Sequence, residues 1–205
     1  MKQRRSLMYI ASFLALTIPT PGRFVFGFTL ILELFILEIL GVLLNSLVSK
    51  LKFNQIRTYF VMLFMIAITL LYRQILVLTY TEIALNLGFL LYMPPVSVYL
   101  AHTLFSDYDE PLVMRLKSNL ITTSFFSLMI LVFFLFRDIF GYGTFTFYGK
   151  NHRIFEKVIL NPDNVGIFTF FASISGALVL TGLTIYLFLF LRNKVRIING
   201  KGEIK

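Results

Sequence analysis

The chain has 205 residues, of which 58% are apolar and 14% are charged, and its mean hydropathy is +0.82. Soluble domains contain about 45–50% apolar and about 25% charged residues, so this composition excludes an ordinary soluble globule and predicts a membrane protein. The net charge of +9 comes from short basic clusters between apolar runs, which is typical of a membrane topology signal and does not indicate a nucleic-acid-binding protein. Because the chain has no cysteine, disulfides and thiolate metal ligands are excluded.

Six apolar segments follow one another, at roughly residues 7–20, 24–49, 59–79, 83–106, 119–136 and 165–191. A helix needs about 20 residues to cross the hydrocarbon core. The second, third, fourth and sixth segments are long enough, and the fifth is slightly short but nearly free of charge. The first follows "MKQRR" as the core of a signal peptide would, but "TIPTPGR" is a poor cleavage site, so we expect the segment to be retained.

The basic residues predict the orientation of these segments. With a cytoplasmic N-terminus, 13 lysines and arginines lie inside and 6 outside. The inner set is Lys2, Arg4, Arg5, Lys50, Lys52, Arg57, Arg115, Lys117, Arg192, Lys194, Arg196, Lys201 and Lys205; the outer set is Arg23, Arg73, Arg137, Lys150, Arg153 and Lys157. We therefore expect both termini to be cytoplasmic, residues 137–164 to form an external loop, and residues 192–205 to form a cytoplasmic basic tail.

Prolines interrupt two segments at corresponding places. Pro19 and Pro21 interrupt the first, and Pro94 and Pro95 interrupt the fourth. Such a pattern indicates inverted repeats, whose sites lie where the broken helices meet, although proline kinks in ordinary transmembrane helices are the alternative. The predicted fold is an all-α integral membrane protein, a single membrane domain over 1–205. Its six transmembrane segments form two inverted three-helix repeats, at about 7–79 and 83–191, whose first helices are broken by proline.

The fifth segment ends in "FFLFRDIFGYGTF", residues 133–145. Here Arg137 and Asp138 would stop the span, and Gly141 or Gly143 would cap the helix in the left-handed region. The connection to residue 164 is far longer than the usual 2–8 residues between helices and carries many aromatic residues. We expect it to lie at the membrane interface or to fold back onto the bundle.

This stretch resembles a known family. "FRDIFGYGTFTFYG" is similar to "IREILGNGTLFG" in the E subunit of the Rnf electron-transport complex and the D subunit of the sodium-pumping NADH:quinone oxidoreductase, Nqr. Residues 46–95 and "SGALVLTGLTIYLFLFLRNK" resemble the same family, and the similarity covers about residues 24–194. The matching loop residues are Arg137, Asp138, Gly141, Gly143 and Thr144. The resemblance implies six spans in two inverted triplets and a place in the bacterial cytoplasmic (inner) membrane beside a homologous sister subunit.

The chain departs from the family at its cofactor. In that family one cysteine from each half, together with the sister subunit, holds a two-iron two-sulfur cluster. Leu100 stands at the second cysteine position, and Thr17 or Ile18 stands at the first. His102 is the nearest histidine to these positions, and histidine can also bind such a cluster. Since such clusters need thiolates, or histidines at some positions, we expect this chain to bind neither cluster nor metal and to have no catalytic residue of its own.

Three charged residues lie inside predicted spans, where ionisable groups are functional candidates. Glu33 and Glu38 are about 140° apart on one helix, so they cannot form one paired site on the same face. They are either part of an ion or proton path or members of structural ion pairs. Arg73 lies at the depth of Glu33, so we predict that these two residues pair, which leaves Glu38 without an obvious partner.

Together these patterns predict a membrane subunit of an Rnf- or Nqr-like ion-translocating electron-transport complex. It would act as scaffold or ion path, in contact with other membrane subunits and lipid. The alternative is a stand-alone membrane transporter or assembly protein that kept the fold after losing the redox role.

Overall fold

The computed structural model describes residues 2–50, 56–97, 100, 104, 111–150, 153–161 and 166–201. This part of the chain is mostly helical. Its elements in order are α1 Lys2–Thr17, α2 Phe24–Lys50, α3 Arg57–Thr79, α4 Thr81–Leu87, a 3-10 helix Gly88–Tyr92, α5 Met93–Val96, α6 Leu112–Phe136, a π-helix Arg137–Tyr142, β1 Thr144–Tyr148, β2 Ile154–Val158, a 3-10 helix Gly166–Ala172 and α7 Ile174–Lys201.

Among the described residues, three stretches of helix are long and apolar enough to cross a membrane: Phe24–Ser49, Arg57–Thr79 and Leu112–Tyr142. On α3 and α6 many large apolar side chains are exposed, among them Leu71, Leu78, Phe125 and Val132. Helices that are apolar on every side are stable where lipid replaces water around them. The protein is therefore a membrane protein, as its composition predicts.

Helix α2 lies at the centre of the fold and packs against both α3 and α6. Its contact with α6 is close because Gly27 has no side chain: a β-carbon at this position would collide with the ring of Phe134. Gly41 likewise faces Met65 of α3, and a β-carbon there would collide with the end of that side chain. Small residues at such crossings are a common device for bringing membrane helices together.

Two apolar clusters surround α2. The larger contains Phe13 of α1, Leu34 and Leu37 of α2, Met65 of α3 and Phe133 of α6. The smaller joins the start of α2 to the end of α3, α4 and the 3-10 helix that follows, through side chains that include Val25, Leu76, Ile83 and Leu91. The start of α2 thus lies at the same end of the bundle as β1 and β2, which we call the hairpin end. The end of α2 and the start of α3 lie at the opposite end, which we call the Arg57 end.

Several elements differ from the sequence-based expectation. The fourth segment is interrupted, as predicted, but the break lies before the prolines: α4 ends at Leu87, Gly88 has φ of 46°, and a 3-10 turn leads to α5. Pro94 and Pro95 open α5 and are buried, which suits proline because the first turn needs no backbone donors. Pro19 and Pro21 follow the last residue of α1.

The predicted external loop is also different at its start. Residues 137–142 continue α6 as a π-helix in which Arg137 and Asp138 are buried, so the loop proper begins near Gly143. Beyond it, β1 and β2 pair antiparallel, with Thr144 opposite Val158 and Tyr148 opposite Ile154. The fold is therefore not purely α-helical. The expectation that this loop folds back onto the bundle is confirmed, since β1 contacts α2.

Candidate functional site

The guanidinium of Arg137 binds backbone carbonyls at the ends of two helical elements. Its nitrogens donate to the carbonyl oxygens of Thr17 and Thr20 at 3.1 and 2.9 Å, and to those of Phe171 and Ala172 at 3.2 Å each. The first pair lies where α1 ends and the second where the 3-10 helix before α7 ends. Carbonyls at helix ends have no partner inside the helix, and in an apolar environment each must find one. Arg137 supplies these donors.

The neighbouring carboxylate of Asp138 binds the other two elements at this end of the bundle. It accepts the backbone N–H of Phe24, the first residue of α2, at 3.0 Å. It also accepts the backbone N–H and the hydroxyl of Thr146 at 2.7 and 2.6 Å, and the hydroxyl of Thr144 at 3.0 Å. A negative charge at the N-terminus of α2 is further favoured by the helix dipole. Asp138 thereby fixes the hairpin against α2.

The glycines around this pair permit close approach or a tight turn. Gly143 ends the π-helix with φ of 70° in the left-handed region, which confirms the predicted glycine cap. A β-carbon on Gly141 would lie 2.9 Å from the backbone nitrogen of Ala172, and one on Gly22 would lie 2.8 Å from Nε of Arg137. Together, Arg137, Asp138, Gly141, Gly143 and Thr144 form a structural junction at the hairpin end.

Glu33 belongs to α2, and its fully buried side chain faces α3. Its Oε1 accepts the hydroxyl of Thr69 at 2.9 Å, and its Oε2 has no hydrogen-bond partner among the described residues. The predicted ion pair with Arg73 is wrong, because the Arg73 side chain is exposed. The packed face of α3 carries Thr69, and four further residues advance a helix about 40° beyond a full turn, which moves Arg73 out of that face.

Hydroxyl groups continue from Glu33 towards the hairpin end. The Tyr72 hydroxyl, one turn beyond Thr69, donates to the carbonyl of Thr29 at 2.9 Å. The Thr29 hydroxyl lies 2.7 Å from the carbonyl of Val25, to which it donates, and 2.8 Å from the Tyr148 hydroxyl. Burial raises the pKa of Tyr148, against the opposing effect of its hydrogen bond with Thr29, so this phenol stays neutral and donates to Thr29.

Glu38 faces a different neighbour. It is fully buried, and its Oε1 accepts the side-chain amide of Asn119 in α6 at 2.8 Å. The prediction that Glu38 has no obvious partner is therefore wrong. Glu33 binds α3 and Glu38 binds α6, as expected of two residues about 140° apart on one helix. Asn119 is the first residue of the fifth apolar segment in the sequence. A polar side chain at the start of an apolar run was the signal from which Asn119 could have been predicted as a partner for a buried carboxyl group.

A second polar cluster closes the Arg57 end. Asn45 donates to the carbonyl of Leu104 at 2.6 Å and accepts Nε of Arg57 at 2.7 Å through its side-chain oxygen. Nη2 of Arg115 donates to the same Leu104 carbonyl. The sequence suggested Arg57 and Arg115 only as topology signals. In the structure Arg115 and Asn45 bind the carbonyl of Leu104, and Arg57 binds Asn45, so these side chains link Leu104 to α2, α3 and α6.

The residues at the two cluster positions do not fit an iron–sulfur cluster. Leu100 is apolar and fully buried, and the hydroxyl of Thr17 donates to the carbonyl of Phe13 at 2.7 Å. Ile18, the other residue at the first position, is apolar as well, and a cluster needs thiolate or imidazole ligands that none of these side chains offers. His102 lies outside the described residues. These positions are filled by apolar packing and a side-chain-to-backbone hydrogen bond.

The described residues thus provide a structural junction at Arg137 and Asp138 and two buried carboxyl groups along α2. Comparison with family models, with curated proteins and with solved structures finds no match. The functional reading therefore rests on the residues of the chain itself.

Proposed function

We propose that the chain is a membrane subunit of an Rnf- or Nqr-like ion-translocating electron-transport complex, in which it serves as scaffold and ion path without a cluster of its own. The observation that carries the proposal is the pair of buried carboxyl groups on α2. Glu33 and Glu38 are both fully buried; Glu33 accepts a hydrogen bond from the hydroxyl of Thr69, and Glu38 accepts one from the side-chain amide of Asn119. Ionisable groups inside a membrane protein are costly and usually serve ion or proton movement.

The arrangement of the helices supports the proposed fold of six spans in two inverted triplets. The interrupted segments, α1 in one half and α4 to α5 in the other, are in contact through α1 and α5. The second members of the triplets, α2 and α6, pack against each other at the centre. In inverted-repeat proteins the halves meet in this way around the broken helices.

The five motif residues support the family assignment. Arg137, Asp138, Gly141, Gly143 and Thr144 match the motif of the Rnf and Nqr subunits, and each has a defined role in the junction at the hairpin end. The proposal also includes the bacterial inner membrane, cytoplasmic termini, an outer hairpin end and a homologous sister subunit as partner. The excess of basic residues on the assigned inner side supports this orientation.

Purification from native membranes tests the proposal. A chain with a C-terminal affinity tag, extracted in mild detergent, should retain other membrane subunits and a flavin-carrying subunit. In that complex Glu38→Gln should preserve assembly and electron transfer but lower ion accumulation in sealed vesicles at least tenfold. Glu156→Gln is the matched control, because Glu156 forms a partly exposed salt bridge with Arg23 at the surface. This variant should leave assembly, electron transfer and ion accumulation unchanged. Recovery of the chain with no redox subunit would overturn the assignment to a complex.

A stand-alone transporter or assembly protein is the second candidate. The observation that favours it is the apolar packing of Leu100 at a position where the family has a cluster ligand. In that case the tagged chain should be recovered alone or with copies of itself, and Glu38→Gln should still reduce ion movement in vesicles that contain only this chain.

A further inference from the structure

We propose that Glu33 is a proton-binding site that exchanges its proton with the hairpin end of the bundle, past the hydroxyl groups of Tyr72 and Tyr148. The inference deepens the proposed ion path and rests on it for its physiological meaning. It assigns the proton as the ion bound at this carboxyl and names the side from which the proton arrives.

The geometry of the carboxyl group is the first argument. Glu33 is fully buried, and one of its oxygens accepts the Thr69 hydroxyl at 2.9 Å. Its other oxygen, Oε2, has no hydrogen-bond partner among the described residues. A carboxylate held by a single neutral donor in an apolar environment is poorly compensated. Formation of an O–H bond at Oε2 removes the charge without any other group having to move.

The groups that face Glu33 agree with a proton rather than a metal ion. Helix α3 contributes Thr69 and, one turn further, Tyr72, whose hydroxyl is within electrostatic range of the Glu33 carboxyl. On α2 the nearest titratable residue is Glu38, which faces α6 through Asn119, and Arg73 on α3 points outward. Hard metal ions need about six oxygen ligands around them. The one described polar side chain that is bonded to the carboxyl is Thr69, whereas a proton needs a single oxygen.

The hydroxyl groups indicate the direction of exchange. Thr29 lies one turn before Glu33 on α2, and Tyr72 lies nearly one turn after Thr69 on α3. Since Thr69 binds Glu33 and Tyr72 binds Thr29, Tyr72 and Thr29 form the next polar layer beyond Glu33. The Tyr148 hydroxyl, from β1, then reaches Thr29 at 2.8 Å. Polar groups therefore form a route from the hairpin to Glu33 through the smaller apolar cluster, which otherwise fills this end of the bundle.

The chemical step is a simple proton transfer. A hydronium ion at the hairpin side loses one proton and becomes water, and Oε2 of Glu33 gains that proton as a new O–H bond. Release is the reverse reaction. No electron is transferred and no co-reactant is needed.

Infrared difference spectroscopy of the purified full chain tests the inference without any partner subunit. Acidification should produce a carboxylic C=O band that is absent in Glu33→Gln and retained in the surface control Glu156→Gln. Because Oε1 accepts the Thr69 hydroxyl, Thr69→Val should shift this band to higher wavenumber. In deuterated buffer, Tyr148→Phe should slow exchange of the band at least fivefold, and the exposed Tyr186→Phe should not.

Two outcomes overturn the inference. One is a spectrum in which no band depends on Glu33 in variants that still fold, with Thr69→Val also without effect. The other is loss of the band on addition of sodium at constant pH, which would make Glu33 a ligand of a metal cation. Either result leaves the co-purification test of the complex unaffected. Conversely, a Glu33 band in a chain that purifies alone supports the site and overturns only the assignment to a complex.

Discussion

The carboxylate of Asp138 accepts the backbone N–H of Phe24 at 3.0 Å, across 114 residues of chain. The same side chain receives three further hydrogen bonds from Thr144 and Thr146. One residue at the end of α6 thus fixes both the start of the central helix α2 and the position of β1.

Asp138→Ala should destabilise the protein strongly, because two backbone N–H groups and two hydroxyl groups lose their acceptor. Leaving buried donors unsatisfied costs about 1–3 kcal/mol each, so with four donors we expect the free energy of unfolding to fall by about 4 kcal/mol or more. The midpoint of thermal unfolding in detergent should fall with it. The control is Glu156→Ala, which removes a surface salt bridge worth about 0–1 kcal/mol. Equal midpoints for the two variants would contradict the role of Asp138.

Gly27→Ala should weaken the packing of α2 against α6. The added β-carbon would collide with the ring of Phe134, and overpacking of this kind costs about 1–3 kcal/mol. Gly182→Ala in α7 is the matched control, since a β-carbon there meets no atom within 4 Å and alanine favours the helix. Thermal unfolding of both variants in one detergent measures the difference. A Gly27→Ala midpoint at or above that of Gly182→Ala would show that the two helices are not in close contact.

Arg73→Gln should leave folded yield and thermal midpoint nearly unchanged, within about 0.5 kcal/mol, because the Arg73 side chain is exposed. Glu33→Gln and Arg73→Gln should act additively, since Glu33 is bonded to Thr69. A double-mutant cycle on folded yield in membranes measures this. Recovery of yield in the double variant, relative to Glu33→Gln alone, would instead reveal an ion pair.

Reporter fusions test the proposed orientation. A fusion at Lys150, between β1 and β2, should be active in the periplasm, and a fusion at Lys205 should be active only in the cytoplasm, because the basic residues are concentrated on the inner side. Periplasmic activity at Lys205 would reverse the orientation and place the hairpin end, with the entrance to Glu33, inside the cell.

The apolar spans could be predicted from sequence because their signal is local. The second, third and fifth segments agree with α2, α3 and α6, although α6 begins at Leu112, before the predicted start. The predicted segment was the apolar run alone, which begins after Arg115 and Lys117. In the structure, hydrogen bonding to the Leu104 carbonyl allows Arg115 to lie inside the helix.

The contacts of the candidate site were harder to predict, because they depend on rotation about helix axes and on partners far apart in the chain. The depth of Glu33 and Arg73 was estimated from residue counts, but a further 40° of rotation decides that Thr69, and not Arg73, faces the carboxyl. The prediction of a glycine cap after the fifth segment was correct, but Arg137 and Asp138 do not end the span, since both are buried in a helix that continues to Tyr142. Its contacts with Thr17 and Phe24 could not be derived from sequence spacing.

The bonds of Arg137 to α1 also determine when the first segment can reach its final state during synthesis. The carbonyls of Thr17 and Thr20 receive their donor only after 120 and 117 further residues have been added. At about 5–20 residues per second, the ribosome needs roughly ten seconds to make that length. Until Arg137 has been added, these two carbonyls lack the donor that they have in the folded protein, so the end of α1 reaches its final state long after it is translated.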